Sequence, residues 1–313
     1  MTQIEQKCNI CGSAVSRFLF FGQDRLHKVD KKLFRIEKCL NCGLAYLYPQ
    51  PFPADLKKYY PSDYGPYQDK NNPLKYGVVS RTIKDLFLYL RRLKQKLLRL
   101  DAQNKKTEER ALHLLDLGCG NGNFLDKMGR VHPAWHLYGF DNNETACERV
   151  RAKGFKVWGG DFMETDLPGE YFDIIHLGNV IEHLGDPKKA LIKIHSLLKP
   201  GGEIIIITPN FDSLSAMVFR NYWYALDSPR HLFLFSPKTI FRLLSETGFS
   251  VLGINSSPDV RVTIKSINYL FDRKDMRINF IIWHLLWLVF KPIGNLASLF
   301  NKTSTMTIRA KKI

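Results

Sequence analysis

Two sets of residues have the types and spacing to do chemistry. The first is a pair of C-x-x-C knuckles, Cys8-Asn-Ile-Cys11 and Cys39-Leu-Asn-Cys42, each followed directly by a glycine. Two knuckles a ribbon's length apart can present four thiolates tetrahedrally to Zn²⁺, and such a site is closed and structural. The second is HLLDLGCGNGNFL, residues 113–125, an apolar run that ends in Asp116 and continues with Gly118, Gly120 and Gly122 at alternate positions. Glycines there allow a tight turn and let a ligand approach the backbone. The spacing differs from the G-x-G-x-x-G of nicotinamide sites, and the acid ahead of the turn suits a cationic amino-acid tail better than a pyrophosphate. Farther on, LYGFDNN ends in Asp141, placed to accept from two ribose hydroxyls, with Asn142 beside it. GGDFME offers Asp161 to an adenine amino group and Phe162 to the adenine ring.

Two histidines stand where a proton could be handled near neutral pH. His183 lies in NVIEHL and His231 in DSPRHL. Each also has a structural reading: Glu182 with His183 holding a turn, and His231 packed in a lid. Arg230 meets either an anionic substrate group or a surface carboxylate. Tyr59, Tyr60 and Tyr64 reach over a ligand or pack a connector. Cys119 and Cys147 read as packing residues.

The elements that must position these groups follow from periodicity. ALHLLDL, LYGFD, FKVWGGD, YFDIIHLGN and GEIIIITP read as buried strands, with helical stretches such as Glu144–Lys153 and Pro187–Leu198 between them. That alternation builds a parallel sheet covered on both faces. GFSVLGINSS and STMTIRAKKI add two later strands. Residues 1–48 read as a zinc ribbon, 49–107 as a Pro/Tyr-rich connector with a basic amphipathic helix, and 108–313 as a catalytic domain with a helical insertion at about 262–302. In the connector, RTIKDLFLYLRRLKQKLLRL (81–100) carries Ile83, Leu86, Leu90, Leu93, Leu97 and Leu100 on one helical face. It docks on its own protein or lies on a membrane surface. NFIIWHLLWLVFKPIGNLASLF (279–300) is too short in its unbroken apolar core to span a bilayer. It reads as a buried helix or as a monotopic one with Trp283 and Trp287 at headgroup level.

The chain has 313 residues, 45% hydrophobic and 24% charged, enough for a real core. Its 46 Lys+Arg against 30 Asp+Glu leave a formal charge of +16, which attracts polyanions, lipid headgroups and nucleic acid alike. The N-terminus shows no basic region followed by an apolar stretch, so a cytoplasmic chain with reduced thiols is expected, with peripheral contact at the inner face of the membrane.

The ordered set LLDLGCGNGNF, Asp141, GDF at 160–162 and LLKPGG at 197–202 resembles the class I S-adenosylmethionine-dependent methyltransferases over about residues 108–252 and the final strand. With CxxC…CxxC, VIEHL and SPRHLFLFS, the whole arrangement is similar to bacterial zinc-ribbon methyltransferases of glycan and secondary-metabolite clusters. The core motifs are similar to those of the ubiquinone-type enzymes. The resemblance implies a Rossmann-like seven-stranded α/β sheet with an antiparallel last strand. It also implies that Asp116, Gly118, Cys119, Gly120 and Gly122 hold the methionine part of the cofactor and Asp141 with Asn142 the ribose. Asp161 and Phe162 would hold the adenine, and Asn179 would approach the cofactor from the fourth strand. The expected function is methyl transfer to a hydroxyl of a glycan, a lipid-linked intermediate or another lipophilic acceptor at an anionic membrane surface. An RNA base methyltransferase that uses the ribbon to grip nucleic acid is the alternative, and a non-catalytic cofactor-binding module is a third reading.

Overall fold

The computed structural model describes residues 7–61, 110–257, 260–271 and 280–313. The helix read over 81–100, and Tyr64, lie outside the described residues. The large sheet is built from β4 (His113–Leu117), β5 (His136–Asp141), β6 (Lys156–Gly159), β7 (Phe172–Gly178), β8 (Leu198–Pro209), β10 (Phe249–Ser257) and β11 (Thr305–Lys312). Its order is β10-β11-β8-β7-β4-β5-β6. From β6 to β8 the neighbours run parallel, and β11 inserts antiparallel to both β8 and β10. The sequence from β4 moves outward to β5 and β6 on one side, then returns to β7 and β8 on the other. The switch point at β4 opens a crevice beyond the carboxyl ends of its strands, the place where open α/β sheets bind ligands. Asp116, Asp141 and Asn179 all lie at those ends.

Helices between the strands begin where the sequence supplies a cap. Asn143 accepts from the Ala146 amide at the start of α3 (Glu144–Ala152), and Asp186 accepts from Lys189 ahead of Pro187 in α4 (Pro187–Leu197). Ser236 and Thr239 form a reciprocal capping box on α6 (Pro237–Ser245). Before them come α1 (Pro53–Leu56) in the connector and α2 (Asn123–Val131), which the glycine turn feeds directly.

The amino-terminal ribbon consists of β1 (Ser16–Gln23), β2 (Leu33–Cys39) and β3 (Ala45–Leu47). It does not stand apart. A two-residue strand from the catalytic half, β9 (Phe233–Leu234), joins it as a fourth strand, pairing Leu234 with Ala45 and Phe233 with Tyr46. Ile36, Leu44, Tyr46 and Leu47 share one buried core with Trp223, Phe233 and Phe235.

Between β10 and β11 stand α5's neighbours in the helical insertion, α7 (Val260–Leu270) and α8 (Phe280–Leu299), where α5 is Leu214–Phe219. Phe290, Gly294 and Ala297 turn one face of α8 toward a cavity of about 250 Å³ shared with Leu214, Val218 and Val260. Residues turned away from it are apolar and exposed: Leu285, Trp287, Leu288, Val289, Leu296 and Leu299. The described residues leave this face of the helix uncovered. No described helix is long and apolar enough to cross a membrane.

Gly22 marks how closely the ribbon approaches the catalytic half. A Cβ there would lie 2.5 Å from Ser228 Oγ and 2.9 Å from Ser228 Cβ. Gly22→Ala is expected to destabilise the protein by about 1–3 kcal/mol through overpacking, measured as a lowered midpoint in denaturant unfolding; an unchanged midpoint would show that the two halves are not held in this contact.

Candidate active site

At the end of β4, Asp116 is buried and its Oδ1 meets His176 Nδ1 at 2.7 Å across to β7. The Phe124 ring, one residue into α2, lies on the imidazole, with centroids 3.8 Å apart and planes 13° from parallel. Burial raises the Asp116 carboxyl above the ordinary carboxylate value, and His176 pulls it back. Gly118 and Gly122 both take positive φ, and a Cβ on Gly118 would sit 2.5 Å from Val180 Cγ2. The turn therefore accepts only glycine at Gly118 and leaves a cradle of bare backbone. Cys119 puts its side chain under β5, where Gly139 makes room for the sulfur; what it offers the crevice is main chain. Cys119 and Cys147 are both buried, as expected of packing residues.

Asp141 ties this turn to the second strand. Its Oδ2 accepts from the Gly120 amide at 2.8 Å and its Oδ1 from the Asn143 amide at 2.9 Å. Each oxygen keeps a second lone pair for a hydroxyl. Burial raises this carboxyl too, against the amides that favour its ionised form. At the third strand end, Asp161 is exposed with its side chain turned back to the Met163 amide. Phe162 is buried edge-to-face on Phe140, centroids 5.5 Å apart. Asn179, exposed at the end of β7, holds a left-handed conformation (φ 57°), a strained state typical of functional turns.

Beyond Asn179 the chain makes a short 3₁₀ turn, Ile181–His183, and brings together the two histidines. Their rings meet edge-to-face at 4.6 Å. His183 Nδ1 donates to the Arg230 carbonyl at 3.0 Å and lies 3.1 Å from the Tyr60 hydroxyl. His231 Nδ1 donates to the Ala225 carbonyl at 2.9 Å. A carbonyl can only accept, so both rings keep their free lone pair on Nε2. Burial pushes the His183 imidazole down to about 3, with His231 adding to the effect, so it is neutral at physiological pH. Glu182 is buried beneath them, its Oε2 accepting from Thr208 Oγ1 at 3.0 Å. Of the tyrosines, Tyr59 packs in the ribbon core with its hydroxyl on Asp30, while Tyr60 reaches His183.

Arg230 is fully buried and faces neither substrate nor solvent. Its Nη2 donates to Asp24 at 2.8 Å and to Asp227 at 2.6 Å, Nε to both Asp227 oxygens at 3.1 Å, and Nη1 to the Tyr59 carbonyl at 3.0 Å. Burial opposes the guanidinium charge, but Asp227 and Asp24 more than offset it and raise its proton affinity. Neither Asp24 nor Asp227 carries a local signature of this role. His176 does carry one: it is a histidine set between Ile175 and Leu177 in the apolar stretch of β7.

The four knuckle cysteines converge so that their sulfurs lie within 4.8 Å of one another. The Cys8–Cys42 and Cys11–Cys39 separations are 3.4 and 3.5 Å, close to the about 3.8 Å edge of a tetrahedron with metal–sulfur bonds of about 2.3 Å. In both knuckles the glycine amide donates back to the first cysteine's carbonyl. Burial pushes the Cys8 thiol up to about 11 and Cys42 higher still, so a cation is what would recover thiolates here. The donor set and its geometry fit zinc.

A family model described as a methyltransferase domain matches residues 83–253, more than half of the 313. The chain belongs to the class I S-adenosylmethionine-dependent methyltransferases. This methyltransferase is 33% identical over 99 residues to a probable S-adenosylmethionine-dependent methyltransferase of Mycolicibacterium smegmatis, covering 31% of this chain and 38% of that protein. It is 35% identical over 108 residues to a ubiquinone biosynthesis O-methyltransferase of Ruegeria pomeroyi, covering 32% and 42%. A solved S-adenosylmethionine-dependent methyltransferase from Archaeoglobus fulgidus matches at 24% identity and a TM-score of 0.45, covering 71% of this chain and 94% of that one. The methyltransferase thus spans about two fifths of the length of these curated relatives.

Removing one carboxylate from a buried ion pair leaves charge uncompensated. Asp24→Ala is expected to cost on the order of 3 kcal/mol of unfolding free energy. Asp24→Asn, which keeps a hydrogen-bond acceptor, should cost less. Equal and negligible losses in denaturant melts of the two variants would show that Arg230 does not depend on the ribbon.

Proposed function

We propose that the protein transfers the methyl group of S-adenosylmethionine to a hydroxyl of a glycan, a lipid-linked intermediate or another lipophilic acceptor at a membrane surface. Family membership supports the reaction. The exposed apolar face of α8, beside a cavity lined by Leu214, Val218 and Phe290, is the observation that carries the acceptor class.

In this reading Asp116, Gly118, Cys119, Gly120 and Gly122 hold the methionine end of the cofactor, and Asp141 with Asn142 the ribose. Asp161 and the backbone around Phe162 hold the adenine. Asn179 stands next to the reacting end. When bound, the cofactor supplies a methyl carbon on a sulfonium, a leaving group that needs no further activation. What remains for the chain's own residues is alignment and the acceptor's proton. The Asp116–His176–Phe124 stack holds the glycine turn against β7. The cluster of Glu182, His183 and His231 handles the proton, with each histidine's Nδ1 committed to a main-chain carbonyl and Nε2 left to accept. That cluster would take the hydroxyl proton released as the acceptor oxygen gains the methyl group that bound S-adenosylmethionine would supply. Cys8, Cys11, Cys39 and Cys42 hold a structural zinc ion, closed to substrate, that keeps the ribbon folded beneath the Arg230 loop.

The test uses methyl-labelled cofactor and host lysate separated into lipid, polysaccharide and RNA fractions. Label is expected in lipid or glycan with the wild type, and at least roughly 100-fold less with Asp116→Ala, a loss of about 2.7 kcal/mol of stabilisation. Label in RNA instead would make the ribbon a nucleic-acid clamp. No label in any fraction would favour a binding module.

The membrane component has its own prediction. Leu288→Glu with Leu296→Glu is expected to weaken binding to anionic vesicles by about 10-fold or more, since burying a leucine contributes about 1.5–3 kcal/mol. Folding, followed by circular dichroism, should be unaffected because both side chains are exposed. Unchanged vesicle binding would argue that α8 meets something other than lipid.

A further inference from the structure

We propose that Glu182, His183 and His231 form a second metal site, separate from the four cysteines, which takes a divalent transition ion through one carboxylate oxygen and two imidazole nitrogens. A donor atom from each of the three residues lies within 4.8 Å of the others. These donors arrive from two segments far apart in sequence, the turn after β7 and the loop before β9.

The hydrogen bonds around the cluster are those of prepared ligands. Both Nδ1 atoms are committed to main-chain carbonyls, Arg230 for His183 and Ala225 for His231. This fixes the tautomer and leaves the Nε2 lone pairs for a cation, the arrangement found behind metal-binding histidines. Glu182 is 1% exposed, and its Oε1 has no hydrogen-bond partner, whereas Oε2 has Thr208. An unpartnered buried carboxylate oxygen is costly, and a cation satisfies it. His231 Nε2 stands 3.9 Å from that oxygen and 3.9 Å from Asp227 Oδ2. Both distances are too long for a hydrogen bond. The first exceeds the about 3.3 Å that separates nitrogen and oxygen ligands on a tetrahedral ion, so the two donors would draw together on binding one.

The donor types choose the ion class. Two imidazoles and a carboxylate suit zinc, cobalt, manganese or iron rather than calcium or magnesium. Three protein ligands leave at least one position open, unlike the closed four-thiolate site. Resting on the methyl-transfer reading, the open position would take the acceptor's hydroxyl oxygen, and the ion would lower that hydroxyl's pKa so that its proton leaves to solvent. The histidines then act as ligands, and the ion does what a free imidazole would otherwise do. The competing arrangement has His231 standing between Glu182 and Asp227 with no ion.

The experiment counts ions and does not depend on activity. The full-length protein is stripped with a chelator, reloaded with Co²⁺ alone, desalted and analysed for metal per chain, with the absorption spectrum recorded. Cobalt in the thiolate site gives strong sulfur-to-metal charge transfer in the near ultraviolet; cobalt on nitrogen and oxygen does not. Wild type should hold two ions per chain. Glu182→Gln and His231→Ala should each hold one, with the thiolate band intact as proof that the ribbon is folded and loaded, because losing a direct ligand should weaken binding by more than roughly 100-fold. One ion per chain in wild type, or two in both variants, would overturn the proposal. Either outcome is separable from failure of the methyl-transfer reading, which rests on label and not on metal.

Discussion

A guanidinium with no access to water dictates the arrangement of everything near it. Arg230 is 0% exposed, and an unneutralised charge at such depth would cost several kcal/mol. Its two carboxylates come from opposite parts of the chain. Asp227 sits in the same loop, and Asp24 lies at the far side of the ribbon, 206 residues away in sequence. The ribbon is held by this pair, by the Tyr59 carbonyl, and by the strand pairing through Phe233 and Leu234 a few residues later. The same residue's carbonyl accepts the His183 proton. One buried charge thus fixes the dock of the amino-terminal module and the tautomer of a candidate catalytic histidine together.

The opposite end of the crevice depends on a different economy of donors and acceptors. Asp116 and Asp141 are both buried, and their charges stand close enough for each to raise the proton affinity of its surroundings. They avoid mutual expense by choosing different partners. Asp116 takes an imidazole, and Asp141 takes two backbone amides, one of them from the glycine turn. A cationic, hydroxyl-bearing ligand would add favourable partners at both acids.

These facts also explain what was legible in the residue order. The strands and their parallel arrangement followed from apolar runs alternating with capped helices, because burial on both faces demands that pattern. The glycine turn was legible because Gly118 has no room for a Cβ. The cysteine knuckles were legible because each motif is complete within five residues. Arg230 was not, since an arginine next to a histidine looks the same whether its carboxylate is a ligand, a surface residue or Asp24. The β9 strand escaped notice for the same reason: two residues carry no period, and only the ribbon's free edge makes them a strand. Phe162, read as a cover for adenine, packs against Phe140, so an aromatic beside an acid indicated burial there as much as stacking.

The exposed side of α8 bears on which polyanion the basic charge serves. Nucleic acid rewards lysine and arginine near phosphates and flat aromatic rings beneath bases. Most outward residues of α8, Leu285, Leu288, Val289, Leu296 and Leu299, offer neither, and Trp287 with Lys291 is the exception. For lipid the two terms add: apolar side chains gain by leaving water, and each Lys or Arg near an anionic surface adds about 1 kcal/mol. Lys291, whose ammonium lies 5.9 Å from the Trp287 ring centroid, sits where a headgroup would meet both. A helix docked by Phe290, Gly294 and Ala297 on one side and apolar on the other has satisfied only half of its surface. The half that the described residues leave uncovered is what draws the acceptor assignment toward molecules with a hydrocarbon part.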